Sequence, residues 1–131
     1  MFHYAFTRAN NAAIHCTGPP GLGFHISSLF IIPYSLKPTQ QQQLIPHGPL
    51  IDLLPFPTLR DNILCSLYLV DMEELYLDIC SEGLVIWGRT PWDPASWEFS
   101  DGFTKKWWFL LDDESLRSTN FWRAQRGEEQ L

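Results

Sequence analysis

The sequence predicts a mainly α fold: a compact bundle of four or five short helices with proline-set turns and a tryptophan-rich core, behind an irregular N-terminal segment. Three observations predict it. Apolar residues recur at spacings of three and four. Cap-type residues and prolines punctuate those stretches where helices start. Only one short run, Leu84-Val85-Ile86-Trp87, reads as a strand, and no convincing partner strand lies nearby. Composition fits, since 45% hydrophobic and 18% charged residues over 131 positions describe one globular core and not a disordered chain.

Leu59, Ile63, Leu67 and Val70 make the first apolar face, entered through Pro55 and Pro57, with Asp52 capping a short turn before it. Asp71, followed three residues on by Glu74, opens a second helix whose buried stripe is Met72, Leu75 and Ile79, and Gly83 stops it. Thr90-Pro91 and Asp93-Pro94 set one or two single-turn helices. Ser100 caps the next, burying Phe103, Trp107, Leu110 and Leu111 and leaving Lys105-Lys106 towards water. Asp112 and Asp113 supply another start, and Ser118 or Asn120 restarts a last helix that ends at Gly127.

Two regions differ in charge. Residues 1–43 contain no acidic side chain, and Gly18-Pro19-Pro20-Gly21 and the tract Gln40 to Gln43 make them read as an irregular or disordered appendage. They are a tail, a linker or a segment whose native context is missing. Residues 44–131 form the helical domain, with seven basic and fifteen acidic side chains, a net of −8. Nonspecific nucleic-acid affinity comes from neutralising phosphates, so this chain alone is not expected to bind DNA or RNA. The run Ile26 to Leu36 is too short to span a bilayer and is broken by Pro33. The N-terminus lacks the basic start of a signal peptide and fits a mitochondrial presequence only halfway. Cys16, Cys65 and Cys80 are odd in number and widely spaced, neither a disulfide framework nor a zinc set. Free thiols place the protein in the nucleus or cytoplasm.

The candidate functional residues are the aromatics and the charges beside them. Trp87, Trp92, Trp97, Trp107 and Trp108 fall in one short segment, with Trp122 following. Most of them belong in a core, because five exposed indoles exceed the apolar patch of a soluble monomer. The rival assignments are a protein-binding surface, an aromatic-lined pocket for a small molecule, or rings that stack on a sugar or nucleobase. Asp93 and Glu98 are the acid–base pair of a small hydrolase in a third reading, though Asp93 before Pro94 is an ordinary cap. No nucleophile–base pair is visible: His47 sits at the domain edge, and Cys65 and Cys80 read as buried, inert thiols. No metal or cofactor motif is present, so none is predicted. Arg60 is expected to pair with Asp52 or Asp61, and Arg123 with the Asp112–Glu114 cluster. Arg123 and Arg126 together also make a candidate site for phosphate or an acidic partner.

The motifs occur in a telling order. Pro46-His47-Gly48-Pro49-Leu50-Ile51-Asp52-Leu53-Leu54-Pro55-Phe56-Pro57-Thr58-Leu59-Arg60-Asp61-Asn62 is followed by Val85-Ile86-Trp87-Gly88, Pro91-Trp92-Asp93-Pro94, Trp97-Glu98 and Lys106-Trp107. The series ends with Ser118-Thr119-Asn120-Phe121-Trp122-Arg123 and Arg126-Gly127. From about Lys37 to Leu131 the chain resembles the uncharacterised fungal domain found C-terminal to the basic leucine zipper in filamentous-fungal transcription factors, which also occurs without a zipper. Two positions depart from that pattern, Gly48 and Leu50, where the family commonly has histidine and tryptophan. No basic region with a leucine heptad precedes the domain here. The resemblance implies a structural role for Asp52, Pro55, Arg60, Asp61 and Asn120 and a part in transcription-related regulation through protein partners, self-association included. It implies no catalytic residue.

Overall fold

The computed structural model describes residues 31–131. The described chain is mainly helical. A 3-10 turn, Tyr34–Leu36, leads to α1 (Gln40–Leu44), α2 (Pro49–Asp52), α3 (Pro57–Cys65) and α4 (Met72–Asp78). A π-type turn, Ile79–Gly83, then feeds β1 (Leu84–Ile86), a 3-10 turn at Pro94–Ser96 and β2 (Trp97–Phe99). Helices α5 (Asp101–Lys106) and α6 (Asp113–Gln125) close the domain.

The caps explain most boundaries. Asp71 accepts from the backbone N–H of Glu73 and Glu74 at 3.0 and 3.1 Å, and Ser100 accepts from Phe103 N–H at 3.1 Å. Asp112 and Ser115 form a reciprocal capping box at the start of α6. Proline occupies the first turn of α2 and α3 and of the turn at Pro94. Gly127, at φ +70°, ends α6 in the left-handed region.

Four local expectations are corrected. Helix α3 stops at Cys65 and the chain turns before Val70, so Leu67 is only half buried. Asp52 caps nothing; it ends α2 and accepts hydrogen bonds from Gln42 at 2.7 Å and His47 at 2.8 Å. The strand at Leu84 does have a partner, Trp97–Phe99, paired antiparallel with Leu84 opposite Phe99 and Ile86 opposite Trp97. That partner shows no alternation because it is buried along its whole length. The last helix does not restart at Ser118 or Asn120. It runs unbroken from Asp113, and the two hydroxyl residues in its middle are turned onto β2.

Those hydroxyls complete the sheet. The bonds from Trp87 N–H to Ser96 O and from Ser100 N–H to Gly83 O put the outward-facing backbone groups of β2 at Trp97 and Phe99. Thr119 Oγ1 accepts from Phe99 N–H at 3.0 Å, and Ser118 Oγ shares its one proton between the carbonyls of Trp97 and Pro94. Helix α6 therefore stands where a third strand would.

The core is Leu50, Ile51, Leu54, Phe56, Leu59, Ile63, Leu64, Val70, Leu75, Ile79, Trp97, Phe99, Phe103, Trp107 and Leu110. A chain of rings runs through it. Phe56 meets Trp97 edge-on at 6.2 Å and Phe99 at 5.4 Å, Phe99 meets Phe103 at 5.6 Å, and Phe103 meets Trp107 at 6.4 Å. Each such pair contributes about 0.5–1.5 kcal/mol beyond its buried area.

The packed unit begins before residue 44, the expected boundary. Helix α1 crosses that point, and Gln42 is buried. The rest of the predicted appendage, residues 1–30, lies outside the described residues.

Candidate functional site

The charged residues of the motif series organise the arm from Tyr34 to Leu44. Arg60 is completely buried. Its Nε donates to Gln42 Oε1 at 2.8 Å, its Nη1 to Ser35 O at 2.7 Å and to Leu54 O, and its Nη2 to Lys37 O at 2.8 Å. The expected ion pair with Asp52 or Asp61 is not formed, because carbonyls fill the guanidinium fork. Burial lowers the Arg60 pKa from its ordinary value, offset by the negative fields of Asp61 and Asp52. Asp61 binds Thr39 Oγ1 instead, and Gln42 links Arg60 to Asp52. Pro55 is fully buried beside this network. His47, between Ile45 O and Asp52, has its pKa raised first by the carbonyl and then by the carboxylate.

The tryptophans divide. Trp97 and Trp107 are core residues whose indole N–H groups donate to Pro91 O at 2.8 Å and Asp78 Oδ2 at 2.9 Å. Trp87 and Trp122 stack at 5.3 Å on the outside of the β1–β2 layer, with Phe121 edge-on to Trp122 at 5.2 Å. Trp122 is tied to Ala95 O at 2.8 Å. Trp92, Phe121 and Trp108 are 46%, 53% and 71% exposed. Trp87, Trp92, Trp97 and Trp107 thus do not share one wall. A cleft of about 250 Å³, lined by Asp78, Ser81, Glu82, Gly83, Ser100, Gly102, Phe103 and Lys106, contains no tryptophan.

The paired carboxylates have other duties. Asp93 caps the 3-10 turn by accepting from Ala95 N–H at 2.9 Å. Glu98 is gripped on both oxygens by Arg126, one at 2.9 Å, and also accepts from Trp87 Nε1 at 2.8 Å. Arg126 lies over the Trp87 ring at 5.7 Å, and Glu98 followed by Glu128 raises its pKa. The sequence missed this link, although both residues stood in the motif series.

Other charges fall differently from expectation too. Arg123 binds Glu129 O at 2.6 Å and lies 3.6 Å from Glu128, so it serves the C-terminal tail and not the Asp112–Glu114 cluster. Asn120 holds Leu131. Lys106 bridges Glu74 and Asp78, each at 2.6 Å, instead of lying in free solvent. This ammonium first, and then the Trp107 indole, lowers the Asp78 pKa. Cys65 and Cys80 are exposed, not buried. Among the described residues, no group of three potential ligands is placed to hold a metal, and no helix is long and apolar enough to cross a membrane.

A protein-family model described as Domain of unknown function (DUF3425) matches residues 26–119. The chain belongs to this family. The match takes in the arm, the core and the first half of α6, so the Arg60 network and the Ser118–Thr119 contacts lie within the family unit. No curated protein and no solved structure matches the chain.

Proposed function

We propose that this domain is a non-enzymatic regulatory module that binds protein partners, associated with fungal transcription factors and acting in the nucleus or cytoplasm. The resemblance to the zipper-associated domain supports the transcriptional setting. One observation carries the interaction reading: outside the core, which already holds Trp97 and Trp107, Trp87, Trp122 and Phe121 form a run of touching rings in which Phe121 is exposed and the two indoles are half-buried. Rings held in place by Ala95 O and Glu98 need no ordering on contact, which favours them as anchors for a partner. Asp93 and Glu98 are engaged in capping and in the Arg126 grip, which speaks against their use as an acid and base.

The test compares the full chain with a Phe121→Ser variant, which removes the exposed ring of that surface, in quantitative affinity capture from nuclear extract. Partners retained by the parent and lost by the variant are expected; an unchanged set refutes the surface. Duplex DNA should show no binding to the chain alone by fluorescence anisotropy at physiological salt. Tight binding there overturns the proposal.

A further inference from the structure

After Gly127 reverses the chain, residues 128–131 run back along α6. The reversal is fixed by bonds from Gly127 N–H to Ala124 O and from Glu128 N–H to Arg123 O, at 3.1 and 3.0 Å. The lengths match. Seven helical residues rise about 10 Å and four extended residues span about the same, so Leu131 arrives beside Asn120.

Asn120 treats Leu131 as a strand would. Its Oδ1 accepts from Leu131 N–H at 2.8 Å and its Nδ2 donates to Leu131 O at 3.4 Å. A carboxamide paired with both backbone groups of one residue reads extended main chain and is indifferent to side chain. One turn on, Arg123 donates to Glu129 O; the next turn places Arg126 on Glu128, with Nε at 2.8 Å and Nη2 at 3.1 Å. Positions 120, 123 and 126 share one helix face, so the backbone readers and the cations form a single track. The Arg123 side chain is only 17% exposed, and it touches the tail at Glu128 and Glu129. The tail residues themselves stay exposed and add nothing to the core.

We propose that Asn120, Arg123 and Arg126 form a docking track for an extended acidic segment of a partner protein, and that residues 128–131 occupy it in cis as a built-in competitor. The occupant is argued from charge and from the tail: the track presents the Arg123 guanidinium, the Arg126 guanidinium that is shared with Glu98, and an amide, and what lies on it is extended and carries Glu128 and Glu129. A few exposed hydrogen bonds hold the tail weakly, and the short connection through Gly127 supplies a local concentration in the millimolar range. An incoming acidic segment competes with that concentration. The inference rests on the domain being an interaction module and names a partner class for it.

The experiment uses a fluorescein-labelled peptide, Gly-Glu-Glu-Gln-Leu, and the full chain carrying Glu128→Ser, Glu129→Gly, Gln130→Ser and Leu131→Gly. This tail-replaced chain should bind the peptide about tenfold or more tightly than the parent, whose tail competes. Adding Asn120→Ala should cost it about tenfold again, and a peptide with lysines for the glutamates should not bind. A tail-replaced chain with native tryptophan fluorescence that ignores the peptide overturns the proposal. So does a parent chain that dimerises by exchanging tails, since the occupant would then be a second copy. The Phe121→Ser change should leave peptide binding intact, so a failure of the aromatic surface and a failure of the track are told apart.

Discussion

Replacing Arg60 tests how the arm is attached. The guanidinium makes four hydrogen bonds, to Gln42, Ser35, Leu54 and Lys37, from a fully buried position. Bonds to a charged donor contribute about 1.5–3 kcal/mol each, against several kcal/mol for desolvating the cation. Arg60→Met keeps most of the volume and removes that cost along with the bonds. It strands Leu54 O inside the core, while the carbonyls of Ser35 and Lys37 regain water once the arm swings away. The expected net loss is about 3–5 kcal/mol. Urea unfolding followed by tryptophan emission measures it: with a slope near 2 kcal/mol/M, the midpoint falls by roughly 2 M. Arg60→Lys, which keeps charge but not the fork, should lose somewhat less and remain folded. In both variants protease should cut at Lys37 before the rest of the domain opens. A midpoint shift worth under about 1 kcal/mol, with the arm still resistant, would refute the reasoning.

Three further outcomes follow from single contacts. Gly83→Ala places a Cβ 2.3 Å from Asp78 O and 2.7 Å from the Phe103 ring, so chemical unfolding should show a loss of about 1–3 kcal/mol. Thr119→Val conserves shape but leaves Phe99 N–H unpaired in a buried site; a loss of about 1–3 kcal/mol is expected, with faster exchange of that amide in hydrogen-exchange NMR. His47 has a raised folded-state pKa, so its stabilisation is fully present below its ordinary value of 6.5 and is lost as pH rises through the folded value. The stability gap between the parent and His47→Gln should therefore be larger at about pH 5.5 than at about pH 8.5 in thermal melts.

The helix starts were legible because caps are local. Asp71, Ser100, Asp112, Pro57 and Asp93-Pro94 each act on the next three residues and open the elements expected of them, whereas Thr90-Pro91 makes only a turn. What escaped was set by distant parts of the chain. Trp97-Glu98-Phe99 carries no strand period, since one side faces the core and the other faces α6. Ser118 and Asn120 each resemble a helix start in isolation; only the position of β2 shows that the hydroxyls of Ser118 and its neighbour Thr119 point sideways. Arg60 reads in the sequence as half of an ion pair, but its partners are the Gln42 amide oxygen and backbone carbonyls up to 25 residues away, which no charge pattern encodes. The same holds for Arg126 and Glu98, 28 residues apart. The Trp122 indole pins it to Ala95 and its ring stacks on Trp87, and that placement also depends on tertiary packing.

The two hydroxyls on α6 also govern how the domain assembles. An isolated β1–β2 hairpin would expose Trp97 O and Phe99 N–H as a template for stray strands. With Ser118 and Thr119 in place, that template exists only in chains whose last helix has yet to dock. Sheet and helix are therefore expected to form together, as one cooperative step with no lasting hairpin intermediate. During synthesis, strand β2 must wait until α6 has emerged before it is protected from aggregation.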